Sequence, residues 1–330
     1  MIKVIQYGLG PIGNKITSIL LEKKNIKIIG AVDISNDLIG KDIEIIAGLS
    51  YKTGVKVVKS IKDISSEEKA DIAVLTTTSS LKIIKQQVLE LVSAGYNVVS
   101  TCEELTYPWL TNPNIAKEID DAAKLNGVTV LSTGVNPGFL MDFVPSSLTA
   151  ICKNIKKIKI ERIQDAQYRR IPFQKKIGAG LTPTEFEKKR QDGSLRHVGL
   201  TESIQMIAAA LGWHLEKTED IIEPIIAEKN FSSNGISIKK GDALGVQQSG
   251  KGFVNNEEVI SLIFKAAVGQ PDPRDRVIID GIPEVDMTIK NGINGDVATC
   301  SITVNAIPVV VKAQAGLKTM IDIPPITYSE

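Results

Sequence analysis

The chain has 330 residues, of which 43% are apolar and 23% charged, and its 39 basic and 38 acidic residues give a net charge of +1. This length predicts two domains, and the ordinary composition excludes disordered, collagen-like and disulfide-framed proteins. The balanced charge gives no general attraction for nucleic acid, and no apolar run reaches the roughly 20 residues of a membrane helix. The sequence begins in a strand-like run without a signal-peptide pattern, so we expect a soluble, cytoplasmic protein.

The first 135 residues alternate short runs of β-branched apolar residues with amphipathic helical patterns. The apolar runs predict strands at Ile2–Tyr7, Ile26–Asp33, Asp71–Thr77, Asn97–Thr101 and Val128–Leu131. The amphipathic patterns predict helices at about Pro11–Glu22, from Ser80 to Gly95, and at about Ile115–Leu125. Because strands that alternate with helices are typical of βαβ units, this half is predicted to be α/β with a parallel sheet.

The pattern changes at about Asn136, where longer strand-like segments replace the alternation. We expect a strand at Ile155–Tyr168, a polar, lysine-rich loop to about Gly199, a helix at Thr201–Gly212, and strands at Gly241–Gly250, Val259–Ala267, Val285–Ile289 and Thr299–Val304. Many strands and few helices predict an α+β domain with a mostly antiparallel sheet and helices on one face. The predicted domains are therefore residues 1–135 and 136–304. The last segment, about 305–330, can pack back onto the first domain.

A glycine-rich turn follows the first strand and opens the first helix. Its residues are Gly8, Gly10, Pro11, Ile12 and Gly13. In the G-x-G-x-x-G pattern the first glycine permits a tight turn, the second admits a pyrophosphate, and the third lets the helix sit close to the sheet. The positive end of the helix then faces the phosphates. The pattern predicts a Rossmann-type, doubly wound domain that binds a nicotinamide dinucleotide.

Asp33 ends the second strand, 20 residues after Gly13. A carboxylate at this point accepts hydrogen bonds from ribose hydroxyls and repels a 2′-phosphate, so we expect NAD, with NADP as the alternative. The competing interpretation is that Asp33 only caps the following loop. Thr76, Thr77 and Thr78 follow the third strand, where we expect them near the nicotinamide ribose, unless they only cap the next helix.

Two acidic residues, Glu103 and Glu104, follow the fourth strand. A carboxylate at the end of a parallel strand can act as a general base or hold a cationic substrate, although acids at a helix start also serve as dipole partners. Cys102 precedes them, but neighbouring acids raise the pKa of a thiol, so we do not expect a cysteine nucleophile. With three scattered cysteines and only two histidines, no metal site is expected.

The segment Asn136, Pro137 and Gly138 follows the fifth strand within the sequence GVNPGF. Its glycines are typical of a backbone nest that binds an anion such as a carboxylate, and the alternative is a turn that leads into the second domain. His197 ends the polar loop and is a candidate for a ligand contact, with a surface histidine as the alternative.

The segments YGLGPIG, STCEELTYPW, GVNPGFLMD and NAIP together resemble the 2,4-diaminopentanoate dehydrogenase and native amine dehydrogenase family. This family shares the N-terminal domain of dihydrodipicolinate reductases. The resemblance implies a homodimer, a second domain built on an open mixed sheet for substrate binding and dimerisation, and an amine or amino acid substrate that releases ammonia.

The implied reaction is NAD(P)-dependent oxidative deamination of 2,4-diaminopentanoate at C4, in ornithine degradation. Glu103 or Glu104 would then activate water, and we favour Glu103 because it lies nearer the strand end. Asn136–Gly138, Thr182 and His197 would hold the substrate carboxylate. The alternatives are an amine dehydrogenase for simple alkyl amines and ketones, and a non-catalytic NAD-binding sensor.

Overall fold

The computed structural model describes residues 1–48, 52–65, 68–169, 171–233 and 236–330. Its strands are β1 Ile2–Tyr7, β2 Ile26–Val32, β3 Val57–Val58, β4 Ile72–Leu75, β5 Asn97–Ser100, β6 Thr129–Ser132, β7 Asn154–Asp165, β8 Lys217–Ile226, β9 Phe231–Ser233, β10 Ile236–Ile238, β11 Ala243–Val254, β12 Glu257–Ala267, β13 Arg274–Ile282, β14 Val285–Lys290 and β15 Gly316–Lys318. Its helices are α1 Pro11–Glu22, α2 Ile43–Ala47, α3 Leu81–Ser93, α4 Pro113–Leu125, α5 Phe143–Leu148, α6 Ile171–Lys176, α7 Pro183–Gln191, α8 Leu200–Leu211 and α9 Gly295–Val310.

The chain forms two compact units. The first unit comprises Met1–Phe139 and Asn294–Glu330, and the second comprises Leu140–Ile293. The predicted boundaries, after residues 135 and 304, differ from these by 4 and 11 residues. The C-terminal segment contributes α9 and β15 to the first unit.

The first unit contains a parallel sheet, in which the described strands have the order β15-β6-β5-β4-β1-β2-β3. The reversal of strand order at β1 and β4 is the doubly wound arrangement, as predicted. Tyr7, Leu75, Ser100 and Ser132 are register neighbours at the ends of β1, β4, β5 and β6. The segments that follow these four strands therefore leave the sheet at the same edge.

Helices pack on this sheet through single apolar stripes. In α1 the stripe is Ile16 and Leu20, and in α3 it includes Val88 and Leu91, all of them buried. These positions recur every three or four residues, so they lie on one face of each helix. The predicted bounds of α1 agree with the structure.

The second unit contains a mixed sheet in the order β14-β13-β7-β12-β11-β8. The pair β7 and β12 is parallel, and the other neighbours are antiparallel. Its apolar core includes Ile160 from β7, Leu262 from β12 and Ile204 from α8. The predicted α/β class, with a parallel doubly wound sheet and a second α+β unit on an open mixed sheet, is confirmed.

The predicted strand at Thr299–Val304 is wrong, because these residues lie inside α9. The β-branched residues favour a strand locally, but tertiary packing overrides that preference. Buried positions such as Cys300, Val304 and Ile307 recur at helical spacing, and the Asn294 side chain accepts hydrogen bonds from the backbone N–H groups of Asp296 and Val297.

The predicted polar loop before Gly199 is also wrong in part, because it contains α6 and α7; its Arg170 lies outside the described residues. Thr182 and Glu185 form a capping box at the start of α7. This signal is present in the sequence, but the helix has few apolar residues and therefore no clear stripe. The strands β8 and β13 were not predicted.

We expect Asn294→Ala to lower the free energy of unfolding by about 1 kcal/mol, because the first turn of α9 loses its side-chain acceptor. Ser80→Ala is the control, since Ser80 has the same position before α3 but makes no side-chain hydrogen bond to that helix. Urea denaturation measures both variants. Equal losses in the two would contradict the assigned cap.

Candidate functional site

The glycine turn after β1 requires glycine at two of its three positions for packing. Gly8 has φ of +95°, and a Cβ there would lie 2.9 Å from the carbonyl oxygen of Thr76. A Cβ on Gly13 would lie 2.0 Å from the carbonyl oxygen of Gly8, so only glycine lets α1 begin this close to the strand. In contrast, a Cβ on Gly10 would meet no described atom within 4 Å. The turn is therefore closed on the sheet side and open at its second glycine, which fits the approach of a pyrophosphate.

Gly10 is also the N-cap residue of α1, and Pro11 occupies the first helical turn. The unpaired N–H groups at this end carry the positive end of the helix dipole. Proline lacks an N–H but is tolerated at this position. The exposed start of α1 thus presents a partial positive charge, which suits a phosphate ligand.

Asp33 closes the turn from the neighbouring strand. Its Oδ2 accepts from the backbone N–H of Leu9 at 2.6 Å, and its Oδ1 accepts from the N–H of Ser35 at 2.8 Å. Asp33 therefore does cap the loop that follows β2, as the alternative interpretation of the sequence predicts. Each carboxylate oxygen accepts more than one hydrogen bond, so this role leaves acceptor capacity for a ribose hydroxyl. Its contact with a ribose stays a prediction.

The three threonines after β4 make different local contacts. The Thr76 hydroxyl lies 2.8 Å from the Gly8 carbonyl oxygen, Thr77 bonds the Gln87 side chain at 2.6 Å, and Thr78 accepts from the Ser80 N–H at 3.2 Å. Thr76 therefore supports the glycine turn, and Thr78 lies at the approach to α3. Their expected position near a nicotinamide ribose stays a prediction.

The two acidic residues after β5 differ in their surroundings. Both are half-buried and belong to a single turn of 3-10 helix, Glu103–Leu105. Glu104 Oε2 accepts from the backbone N–H of Leu81 at 2.9 Å, so this carboxylate stabilises the start of α3. Within the described ranges, the Glu103 carboxylate has no hydrogen bond or ion pair. Glu103 is thus the carboxylate that remains open to a ligand.

Cys102 lies fully buried beneath these acids. Burial raises the pKa of its thiol far above its ordinary value, and the charges of Glu103 and Glu104 act in the same direction. Because the thiolate is the reactive form, Cys102 is unsuited to act as a nucleophile, in agreement with the interpretation of the sequence.

The segment after β6 is folded tightly on itself. A Cβ on Gly138, whose φ is +124°, would lie 2.6 Å from the backbone nitrogen of Gly134. The N–H of Val135 donates to Thr299 Oγ1 of α9 at 3.2 Å, so this amide is already used within the protein. Asn136 is 8% exposed. This contact of Thr299 was not predicted from the sequence, because residues 299–304 were assigned to a strand and not to α9.

The two residues of the second unit that were predicted to contact the substrate, Thr182 and His197, have different surroundings. Thr182 is exposed and serves as the N-cap of α7, with its backbone N–H and hydroxyl both bonded to Glu185 Oε2. His197 is half-buried against the sheet: its ring packs edge-on against Phe264 at a centroid distance of 4.4 Å, and its backbone N–H donates to Gln248 Oε1 at 2.6 Å. The capping box accounts for Thr182, whereas His197 belongs to a polar cluster on the sheet.

That cluster follows a single row of register neighbours across four strands: Asp275, Arg162, Phe264 and Gln248. Arg162 and Asp275 form a buried ion pair at 2.7 Å. Burial, followed by the positive charges of Arg162 and Lys176, lowers the pKa of His197 to about 3, so its ring is neutral at pH 7. Arg162 and Gln248 were not identified as candidates from the sequence. Both lie within strands, which were predicted from their apolar residues alone.

Comparison with known proteins assigns the family. A family model described as the 2,4-diaminopentanoate dehydrogenase C-terminal domain matches residues 139–328, more than half of the chain. The chain belongs to the 2,4-diaminopentanoate dehydrogenase family. A second model, described as a CoA binding domain, matches residues 1–103.

The chain is 34% identical to the 2,4-diaminopentanoate dehydrogenase of Acetoanaerobium sticklandii, over 98% of this chain and 93% of that protein. It is 21% identical to an amine dehydrogenase of Streptomyces virginiae, over 98% and 96% of the two chains. The structure of the amine dehydrogenase from Mycobacterium smegmatis has the same fold, with a TM-score of 0.86, 23% identity and coverage of 99% and 97%. The prediction of a dehydrogenase that oxidises amines is confirmed.

No helix in the described part of the chain is long and apolar enough to cross a membrane. Among the same residues, no group of three or more His, Cys, Asp or Glu side chains could hold a metal ion.

The low pKa of His197 predicts a stability that falls with acid. The unfolded chain binds a proton at this ring below about pH 6.5, whereas the folded chain does not until about pH 3. Between these values the loss is at most about 1.4 kcal/mol per pH unit. We expect His197→Phe, which keeps an aromatic ring beside Phe264, to lose less stability than the wild type between pH 6.5 and pH 5 in urea denaturation. Parallel losses in the two proteins would contradict the assignment of a neutral ring.

Proposed function

We propose that this chain catalyses the NAD(P)-dependent oxidative deamination of 2,4-diaminopentanoate at C4, which yields 2-amino-4-oxopentanoate and ammonia. The relative from Acetoanaerobium sticklandii carries the name of this activity and matches nearly the whole chain. A role in ornithine degradation, as a cytoplasmic homodimer, is part of the same proposal and rests on the family resemblance.

The observation that carries the proposal is the open carboxylate of Glu103. Glu103 follows β5, whose last residue is a register neighbour of the last residue of β4. The end of β4 pairs in turn with the end of β1, which leads into the glycine turn. Ligands of doubly wound sheets bind at this edge, where the strand order reverses. A half-buried carboxylate without a hydrogen bond or ion pair to any described residue is therefore available at the edge where we expect the reacting end of the dinucleotide.

A bound NAD would accept the hydride from the carbon that carries the amino group. The residues of the chain have the other tasks. The negative charge of Glu103 stabilises the substrate ammonium, which releases one proton to solvent before the hydride leaves, and then stabilises the iminium ion that forms. The same carboxylate accepts a proton from the water that attacks the iminium carbon, and ammonia leaves from the resulting carbinolamine. Glu104 cannot share this work freely, because its carboxylate caps α3.

Asn136, Pro137, Gly138 and His197 stay our candidates from the sequence for contacts to the substrate carboxylate. A neutral ring with a pKa of about 3 is a hydrogen-bond donor rather than a cation, so His197 would orient an anion without neutralising it. Thr182 stays a candidate from the sequence, although its capping box accounts for the residue by itself.

A substrate panel tests the proposal. Purified protein is mixed with NAD or NADP and with 2,4-diaminopentanoate or simple alkyl amines, and NAD(P)H absorbance is followed. We expect reduction with 2,4-diaminopentanoate. Reduction with the simple amines alone would instead support the second candidate, an alkyl amine dehydrogenase, which the similarity to the Streptomyces virginiae enzyme favours. Binding of the dinucleotide without any reduction would support a sensor.

We expect Glu103→Gln to lower kcat by about 10²–10⁴-fold, the usual range for the loss of general acid–base catalysis, while the Kd for NAD changes little. Glu104→Gln is the matched control, since glutamine keeps an oxygen that accepts from the Leu81 N–H. Its kcat should fall less than about tenfold. If Glu103→Gln keeps kcat within a few-fold of the wild type, the general base lies elsewhere.

We expect Asp33→Ser to raise the KM for NAD and to lower the KM for NADP, because the repulsion of a 2′-phosphate is removed. Asp33→Asn separates this effect from support of the turn, since its amide oxygen still accepts from the Leu9 N–H. Steady-state kinetics with both cofactors measures the change. A wild-type preference for NADP above about tenfold would contradict the assigned role of Asp33.

A further inference from the structure

Gln6 is a fully buried amide inside a strand of apolar residues. It lies in β1 between Ile5 and Tyr7, two residues before the first glycine of the turn. Burying an amide costs free energy unless hydrogen bonds compensate for the lost water. Among the described residues, the Oε1 atom of Gln6 has no hydrogen-bond partner, so part of this cost is not offset. A residue that only filled space here would avoid the penalty.

The Nε2 atom of Gln6 makes two contacts with the turn. It donates to the carbonyl oxygen of Gly8 at 2.8 Å and lies 3.0 Å from the hydroxyl of Thr76, which itself lies 2.8 Å from the same carbonyl oxygen. The three groups form a closed triangle, in which the Thr76 hydroxyl accepts from Gln6 and donates to Gly8. Two donors thus converge on one backbone oxygen.

The other side of the same peptide group is also held. The N–H that follows the Gly8 carbonyl belongs to Leu9, and it donates to Asp33 Oδ2 at 2.6 Å. The peptide plane between Gly8 and Leu9 is therefore fixed at its oxygen by Gln6 and Thr76 and at its nitrogen by Asp33. Rotation of this plane would redirect the backbone that leads to Gly10, the open position of the turn.

We propose that Gln6 is a positioning residue for dinucleotide binding, which acts by fixing the Gly8–Leu9 peptide. It does not itself touch the ligand. With the peptide held, Gly10 and the start of α1 keep the orientation in which they receive the phosphates, and no binding energy is spent on ordering the turn. This inference rests on the dinucleotide part of the proposed function and is independent of the amine that is oxidised.

The test compares two buried glutamines. Gln6→Leu removes both donated hydrogen bonds with little change in size, and Gln6→Met does the same with an unbranched, more adaptable side chain. Gln174→Leu is the matched control: Gln174 is also fully buried, its Nε2 donates to the carbonyls of Ala166, Gln167 and Arg169, and its Oε1 has no partner within the described chain. Gln174 belongs to the second unit.

Binding of NADH and NADPH is measured by fluorescence titration without any amine, and the melting temperature is measured for each variant. We expect both Gln6 variants to raise the Kd of the preferred dinucleotide about tenfold, while Gln174→Leu lowers the melting temperature to a similar extent with a Kd within twofold of the wild type. In turnover, the KM for the dinucleotide should rise in the Gln6 variants, with kcat at saturation within about threefold.

A Kd within twofold of the wild type in both Gln6 variants would overturn the inference, because the residue would then be structural only. An equal rise in Kd in Gln174→Leu would overturn it as well, since loss of stability alone would explain the effect. If the wild-type chain binds neither dinucleotide, this inference and the cofactor assignment are both wrong. If it binds a dinucleotide but oxidises no amine, only the proposed reaction fails.

Discussion

The close approach of Gly13 to the carbonyl oxygen of Gly8 is the constraint on which the proposed cofactor site depends. A single Cβ at Gly13 would lie 2.0 Å from that oxygen, so α1 could not begin where it does. The position of α1 in turn sets where its positive end points and where the turn is open. The peptide group between Gly8 and Leu9, which lies against the start of α1, is held by hydrogen bonds with three side chains: Asp33, Thr76 and Gln6.

The adjacent acids after β5 illustrate how local structure separates two like residues. Glu103 and Glu104 have the same chemistry and both are half-buried, yet the carboxylate of Glu104 is bonded to the first N–H of α3. A carboxylate that caps a helix is oriented by that hydrogen bond. Glu103 has no such bond in the described ranges, and it is therefore the acid that we propose to act on a substrate.

The sequence predicted the first unit well because its signals are local. The apolar stripe of α1, the glycines of the turn and the continuous apolar runs of β4 and β5 each depend on neighbours within a few residues. The different surroundings of Glu103 and Glu104 are also a local effect, because the side chains of consecutive residues point in different directions. The capping of α3 by Glu104 was not predictable, since Leu81 lies 23 residues earlier and the contact depends on how β4 and β5 pair.

The second unit was predicted less well because its structure depends on distant contacts. Arg162 is buried in a strand and pairs across the sheet with Asp275, 113 residues later in the chain. The sequence around His197 does not indicate that its pKa is low, because the shift arises from burial and from charges on other elements. The helix α9 was mistaken for a strand because its β-branched residues mask a helical spacing of buried positions.

We propose that the chain oxidises the carbon bearing the C4 amino group of 2,4-diaminopentanoate and passes its hydride to a nicotinamide dinucleotide. The most direct measurement uses substrate with deuterium at C4 and follows the label by mass spectrometry, together with the ammonia released. The account predicts one deuterium in the reduced dinucleotide and one ammonia for each turnover. Reduced dinucleotide without the label, or ammonia without reduced dinucleotide, would contradict it.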